Sequence, residues 1–223
     1  MAKRRMSKHE MKEDKFVTSM MEGAAYAREN VQNVVIVIVV LLVLIAGIVI
    51  WRNYRSGRIE TANTKLGIAQ LAYKLEKYGE SKDSLISLTG NYAGTKAAKV
   101  GLFLLGHIYF ATGQRDSAEI YWNRFIESDF DDKDLRAGAR MGLAAILSDK
   151  QNYAEAGAAF EKCYEDFPDY FDRGNWLYRA ADNYLAAGQT EKAKELYQKY
   201  VDEYGDSPWA INARLILAEI EAK

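Results

Sequence analysis

The chain has 223 residues, of which 49% are apolar and 27% charged, with a formal net charge of -1 and one cysteine, Cys163. This length suits one domain carrying an appendage. The near-neutral balance offers no whole-protein field to draw the chain to nucleic acid. A lone thiol excludes an intramolecular disulfide and a cysteine metal cluster. Helix formers dominate, only Pro168 and Pro208 interrupt, and sustained period-two alternation is missing, so the chain reads as all-α.

Residues 1–32 form a basic, amphipathic tail. Phe16 and Met20 stand four apart, with Val17, Met21 and Ala24 alongside and Lys12, Glu13 and Lys15 charged. A helix at the membrane interface or against a partner fits this pattern, as does a tail without fixed structure. Lys3, Arg4 and Arg5 would add attraction to headgroups.

Residues 33–51, NVVIVIVVLLVLIAGIVIW, carry no charge. As a helix they would reach about 28 Å at about 1.5 Å per residue, close to a hydrocarbon core of about 30 Å. The segment is apolar all round, unlike a core helix with one polar face, and Trp51 ends it where an interfacial aromatic belongs. A cleaved signal peptide would have a shorter apolar stretch and a small-residue cleavage site. A transmembrane anchor is therefore expected, with residues 52–59 as a juxtamembrane linker carrying Arg52, Arg55 and Arg58 at helical spacing. Lys and Arg are plentiful on both flanks. Counted over the nearest 20 residues the far flank is the more basic; counted over the whole short tail the near side is, and since long domains translocate largely regardless of charge the tail is expected inside and the remaining chain outside.

From residue 60 to 223 the chain repeats itself. Ala118, Ala156 and Ala193 are 38 and 37 apart, and each is followed four residues later by a large aromatic: Trp122, Phe160 and Tyr197. Tyr109, Leu147 and Tyr184 precede those alanines by nine, and Gly113 and Gly188 precede theirs by five. A second aromatic marker falls at Tyr92, Phe130, Phe167 and Tyr204. The pattern predicts stacked helical hairpins: one helix out, a turn at glycine, and a second helix returning with alanine at the closest crossing. A single hairpin cannot bury its own apolar face, so about four of them, closed by a C-terminal capping helix, should form a solenoid.

The sequence Leu105-Gly106, Tyr109, Gly113 and Ala118, with Leu143, Ala156, Phe160 and Pro168 in the next unit and Tyr184, Gly188, Ala193 and Tyr197 in the third, resembles the tetratricopeptide repeat. The units run to about 37 residues instead of the usual 34 or so, with extra residues in loops such as SDFDDKD. In the first unit, residues 60–92, Leu71, Ala72, Gly79 and Leu88 fit only loosely. The layout of tail, single span and repeats is similar to bacterial single-span proteins of the type that includes the ancillary subunit of the Sec translocon. That resemblance implies an inner-membrane protein with periplasmic repeats and a tail in the cytoplasm, acting as a membrane-tethered protein-binding scaffold in protein translocation or in periplasmic assembly and chaperoning. Its alternative is a structural subunit or assembly factor of a larger membrane complex.

No enzyme is expected. GNYAGTK at residues 90–96 lacks the spacing of a phosphate loop and reads as a turn. Two histidines, His9 and His107, are too few for a histidine-based metal site, and the scattered carboxylates read as solvated helix faces. Neither a cofactor nor a small-molecule substrate is implied. Cys163, three residues after Phe160, reads as a structural thiol.

In the resembling family the first helices of successive units line a concave surface. Carried over, those positions are Phe103, His107 and Phe110, then Met141, then Asn175, Tyr178 and Asp182. The expected occupant is a protein, in the form of an extended or partly unfolded apolar segment.

Overall fold

The computed structural model describes residues 8–222, with side chains from residue 17 onward, so Lys3, Arg4, Arg5 and the side chain of Phe16 lie outside the described residues. Every regular element described is an α-helix: α1 (Lys8–Glu29), α2 (Val31–Lys74), α3 (Tyr78–Asn91), α4 (Lys96–Ala111), α5 (Arg115–Ile126), α6 (Lys133–Asp149), α7 (Tyr153–Asp166), α8 (Arg173–Ala186), α9 (Thr190–Tyr204) and α10 (Pro208–Glu221). The chain divides into two compact units, Met1–Gly57 and Arg58–Lys223.

The first unit holds α1 and the leading part of α2. Asn30 alone separates the two helices, and its side-chain amide donates to the Tyr26 carbonyl at 3.1 Å. Helix α2 is long and apolar enough to cross a membrane, and every residue from Val35 to Ile50 is exposed. A soluble helix would bury its apolar residues along one stripe; here none finds a protein neighbour that covers it. Beyond the apolar stretch, the Arg55 guanidinium lies 5.4 Å from the centre of the Trp51 ring. Residues 52–59, expected as a linker, are helical throughout.

The second unit is a run of four hairpins and a closing helix. The end of α2 pairs with α3, followed by α4 with α5, α6 with α7 and α8 with α9, and α10 packs on α9. Each hairpin turns on one residue in the left-handed conformation: Glu76 (φ 57°), Gly113 (φ 80°), Gln151 (φ 63°) and Gly188 (φ 76°). These positions are 37, 38 and 37 apart. At each turn the next residue's amide reaches back over the helix end. Lys77 donates to Ala72 at 3.0 Å, Gln114 to Tyr109 at 2.8 Å, Asn152 to Leu147 at 2.9 Å and Gln189 to Tyr184 at 2.9 Å. This bond satisfies a carbonyl that the helix would otherwise leave unpaired. In the first unit the turn therefore falls at Glu76, whereas Gly79 lies inside α3 and Leu71 is exposed.

The helix crossings repeat with the turns. Ser81, Ala118, Ala156 and Ala193 occupy one column of small residues, all fully buried, and four residues later stand Leu85, Trp122, Phe160 and Tyr197. Ser81 keeps its hydroxyl in this dry position by donating to the Ala69 carbonyl at 2.8 Å. On the first helices Ala69, Gly106, Ala144 and Ala181 recur in the same register, again 37, 38 and 37 apart, and all four are buried.

Trp122 is the largest of the four and needs glycine twice. A Cβ on Gly106 would lie 2.4 Å from its pyrrole ring, and one on Gly142 would lie 2.4 Å from the far edge of its benzene ring. The indole is thus held between its own hairpin and the next, and it bridges α4 to α6. Thr95 caps α4 by accepting from the Ala98 amide at 3.2 Å, and Asp132 caps α6 by accepting from Leu135 at 3.0 Å. Within GNYAGTK, residues 92–95 form the turn between α3 and α4, with Gly94 at φ 85°. Cys163 is buried in the core shared by α6 to α10, and burial pushes its thiol up to about 11.

Candidate partner-binding groove

The seven candidate residues all lie on first helices: Phe103, His107 and Phe110 on α4, Met141 on α6, and Asn175, Tyr178 and Asp182 on α8. Two registers relate them. Phe103, Met141 and Tyr178 occupy one column at spacings of 38 and 37, and His107 and Asp182 occupy another with Ala145 between them. All but Asp182 are half-buried, and Asp182 is exposed.

The α4 group closes on itself. The Phe103 ring stands 4.6 Å from His107 and 5.4 Å from Phe125, and its tip would be 3.2 Å from a Cβ on Gly138. His107 meets Trp122 edge-on at 5.3 Å, and Phe110 meets the same indole at 5.6 Å. On its other side Phe110 carries the Arg115 guanidinium at 4.0 Å. These three side chains therefore extend the core around Trp122 toward the surface. Burial holds the His107 imidazole below the ordinary histidine value, because a charged ring between Phe103 and Trp122 would lose its hydration without gaining a partner. Met141 packs against the downstream core, next in register to the α4 rings.

The α8 group opens instead. Asn175, Tyr178 and Asp182 come together with Arg179 and Trp209 around a cleft of about 180 Å³. Tyr178 is its aromatic wall, with Trp209 at 5.5 Å, Tyr200 at 5.4 Å and Tyr197 at 5.6 Å between ring centres. The Arg179 Nε donates to Asn175 Oδ1 at 2.6 Å, and its guanidinium lies 5.9 Å from the Phe160 ring. Asp182 Oδ1 accepts from the Tyr197 hydroxyl. Although Asp182 is exposed as a residue, the tyrosines beside its carboxyl displace enough water to raise it above the ordinary carboxylate value, against the opposing effects of the Tyr197 hydrogen bond and the Arg179 charge.

Arg179 and Trp209 were not among the residues expected from sequence. Arg179 follows Tyr178 directly and reads as a solvated charge. Trp209 lies beyond the last repeat, on α10 just after Pro208, where the repeat register has no aromatic. An unpaired tryptophan at the start of a closing helix was the available signal.

Repeated hairpins with small residues at each crossing, an aromatic or leucine one turn later, and a graded face of first-helix side chains define an α-helical repeat scaffold. A family model for the tetratricopeptide repeat-like domain matches residues 25–173, and one for the tetratricopeptide repeat matches residues 147–220. The chain belongs to the tetratricopeptide repeat-like domain family, whose fold is typically a protein-interaction scaffold without catalytic chemistry. Among solved structures it is similar to MamA from Desulfovibrio magneticus RS-1, at 18% identity over 72% of this chain and 84% of that one with a TM-score of 0.58. It is also similar to YrrB, described as a TPR protein with an unusual peptide-binding site, at 23% identity over 69% of this chain and 74% of that one with a TM-score of 0.55. At these identities the likeness is one of fold. No curated protein matches the sequence significantly.

Proposed function

We propose that the chain is a membrane-tethered binding module: α2 anchors it in the bacterial inner membrane, and the repeats hold an extended segment of a partner protein on the first-helix face. The observation that carries this reading is the pairing of a fully exposed apolar helix with a repeat face that ends in an open aromatic cleft. An apolar surface of the first kind is tolerated in lipid, and one of the second kind is tolerated beside a partner. The family match starts at residue 25 and so takes in the apolar helix together with the first repeats, which supports reading anchor and repeats as one recurring arrangement.

In this reading the tail lies in the cytoplasm and the repeats lie in the periplasm. Tethering raises the repeats' effective concentration toward polypeptides emerging at the membrane. A role beside the secretion machinery, or in periplasmic assembly, follows from that placement. Protease added outside spheroplasts should digest residues 58–223 and spare the tail; digestion only after lysis would reverse the orientation. Purification in mild detergent should recover a range of substoichiometric polypeptides. Recovery of one fixed-ratio complex would replace the module with a structural subunit.

A further inference from the structure

The cleft on α8 differs from the rest of the groove in combining aromatic walls with charge. Its volume of about 180 Å³ is room for a single side chain. Tyr178 and Trp209 supply ring faces whose quadrupoles attract cations. Asp182 lies at the same mouth with one oxygen engaged by the Tyr197 hydroxyl.

The other charge there, Arg179, is held to one side: its Nε is bonded to Asn175 and its guanidinium is drawn toward the Phe160 ring. Arg179 still lines the cleft and offsets part of the Asp182 charge, and the aromatic rings tip the balance toward a cation. An acidic side chain would be repelled by Asp182 and the two aromatic rings, and only Arg179, whose Nε is already engaged by Asn175, would attract it. An aliphatic one would fill the volume but leave the carboxylate unanswered.

We propose that this cleft is a pocket for one basic side chain, lysine or arginine, presented by an extended partner bound along the first-helix face. The pocket rests on the binding-module reading and adds the chemistry by which the groove fixes the register of its partner. A segment with apolar residues and a lysine at one position would lie with its apolar side chains over Phe103 and Met141 and its cation at Tyr178, Trp209 and Asp182. The elevated Asp182 carboxyl is consistent with this, because a cation in the cleft would restore the stabilisation that the lost water supplied.

The test uses the full-length chain in detergent and three otherwise identical apolar hexapeptides whose fourth residue is lysine, norleucine or glutamate, titrated by isothermal calorimetry. The lysine peptide should bind about tenfold more tightly than the glutamate peptide, with norleucine between them. Asp182→Asn keeps an acceptor for Tyr197 and removes the charge. It should bring lysine most of the way down to the norleucine level and lower norleucine binding much less. Trp209→Ala should reduce the preference for lysine over norleucine as well. Equal binding of all three peptides, or preference for glutamate, overturns the basic pocket while the groove reading stands. If no peptide binds, both readings fall.

Discussion

The α4 and α8 stretches of the first-helix face are made from the same repeat positions and differ in depth. Phe103 and Tyr178 are in one register, with Met141 between them, yet Phe103 is packed between His107, Phe125 and the glycine at position 138, whereas Tyr178 borders an open cleft. Part of the cause lies in Trp122. Two glycines let its indole cross from one hairpin to the next, and the α4 rings close over it. On α8 the register position equivalent to Gly106 is Ala181, and the equivalent aromatic is Tyr197, which spends its hydroxyl on Asp182. A repeat position therefore says which face a side chain is on, and the size of its neighbours in the adjoining hairpins says whether it is available.

The sharpest way to break this comparison is to remove the indole. Trp122→Ala should cost about 3–5 kcal/mol, because the site is bordered by two helices that cannot collapse onto it. Trp209→Ala, on the half-exposed rim of the cleft, should cost at most about 1 kcal/mol. Thermal melting of both variants decides the matter, and comparable losses would mean that the cleft is core.

Gly106→Ala comes next. The added methyl would meet the indole at 2.4 Å, and overpacking of this kind costs about 1–3 kcal/mol. The double variant Gly106→Ala with Trp122→Phe should recover part of the loss, since Ala144 with Phe160 is the native arrangement one repeat later. An unchanged melting temperature in the single variant would remove the steric account.

A smaller effect should appear with pH. His107 is held neutral in the folded chain, so the unfolded chain binds a proton at a higher pH than the folded chain does. Its contribution to stability is then fully present above the unfolded value of about 6.5 and is lost as pH falls below it. Melting temperature followed from pH 8 to pH 5.5 should decline in the lower part of that range, and His107→Leu should flatten the decline. A slope unaffected by the substitution would locate the titration elsewhere.

The smallest predicted effect is a gain. Gln151 adopts φ 63° where the neighbouring repeats have Gly113 and Gly188, so Gln151→Gly should relieve strain of about 1–2 kcal/mol at an entropic cost of about 0.5–1 kcal/mol. A net rise of about 0.5 kcal/mol in stability is expected from chemical denaturation. A loss would show that the side chain contributes more than its backbone costs.

The repeat was legible because its markers are packing requirements. Ala118, Ala156 and Ala193 are small because backbones cross there, and the residues four later are large because the crossing leaves space beside it. The first hairpin was harder to read for the same reason: Ser81, Leu85 and Glu76 meet the structural demands with residue types that do not match the pattern. The groove was legible as a set of positions but not as a site. Whether Phe103 is enclosed depends on Phe125 and Gly138, far from it in sequence, and the cleft depends on Trp209, which belongs to no repeat.

The central claim is that the first-helix face, at its open end, is where the module holds its partners. It is tested most directly by placing a photocrosslinking phenylalanine analogue at position 178, and separately at the exposed Ile120 of the second helix α5, in the full-length protein in living cells. The account predicts covalent adducts from position 178 and few from position 120, with the Asp182→Asn substitution reducing the former. Equal adducts from both positions, or adducts from position 120 alone, would contradict it.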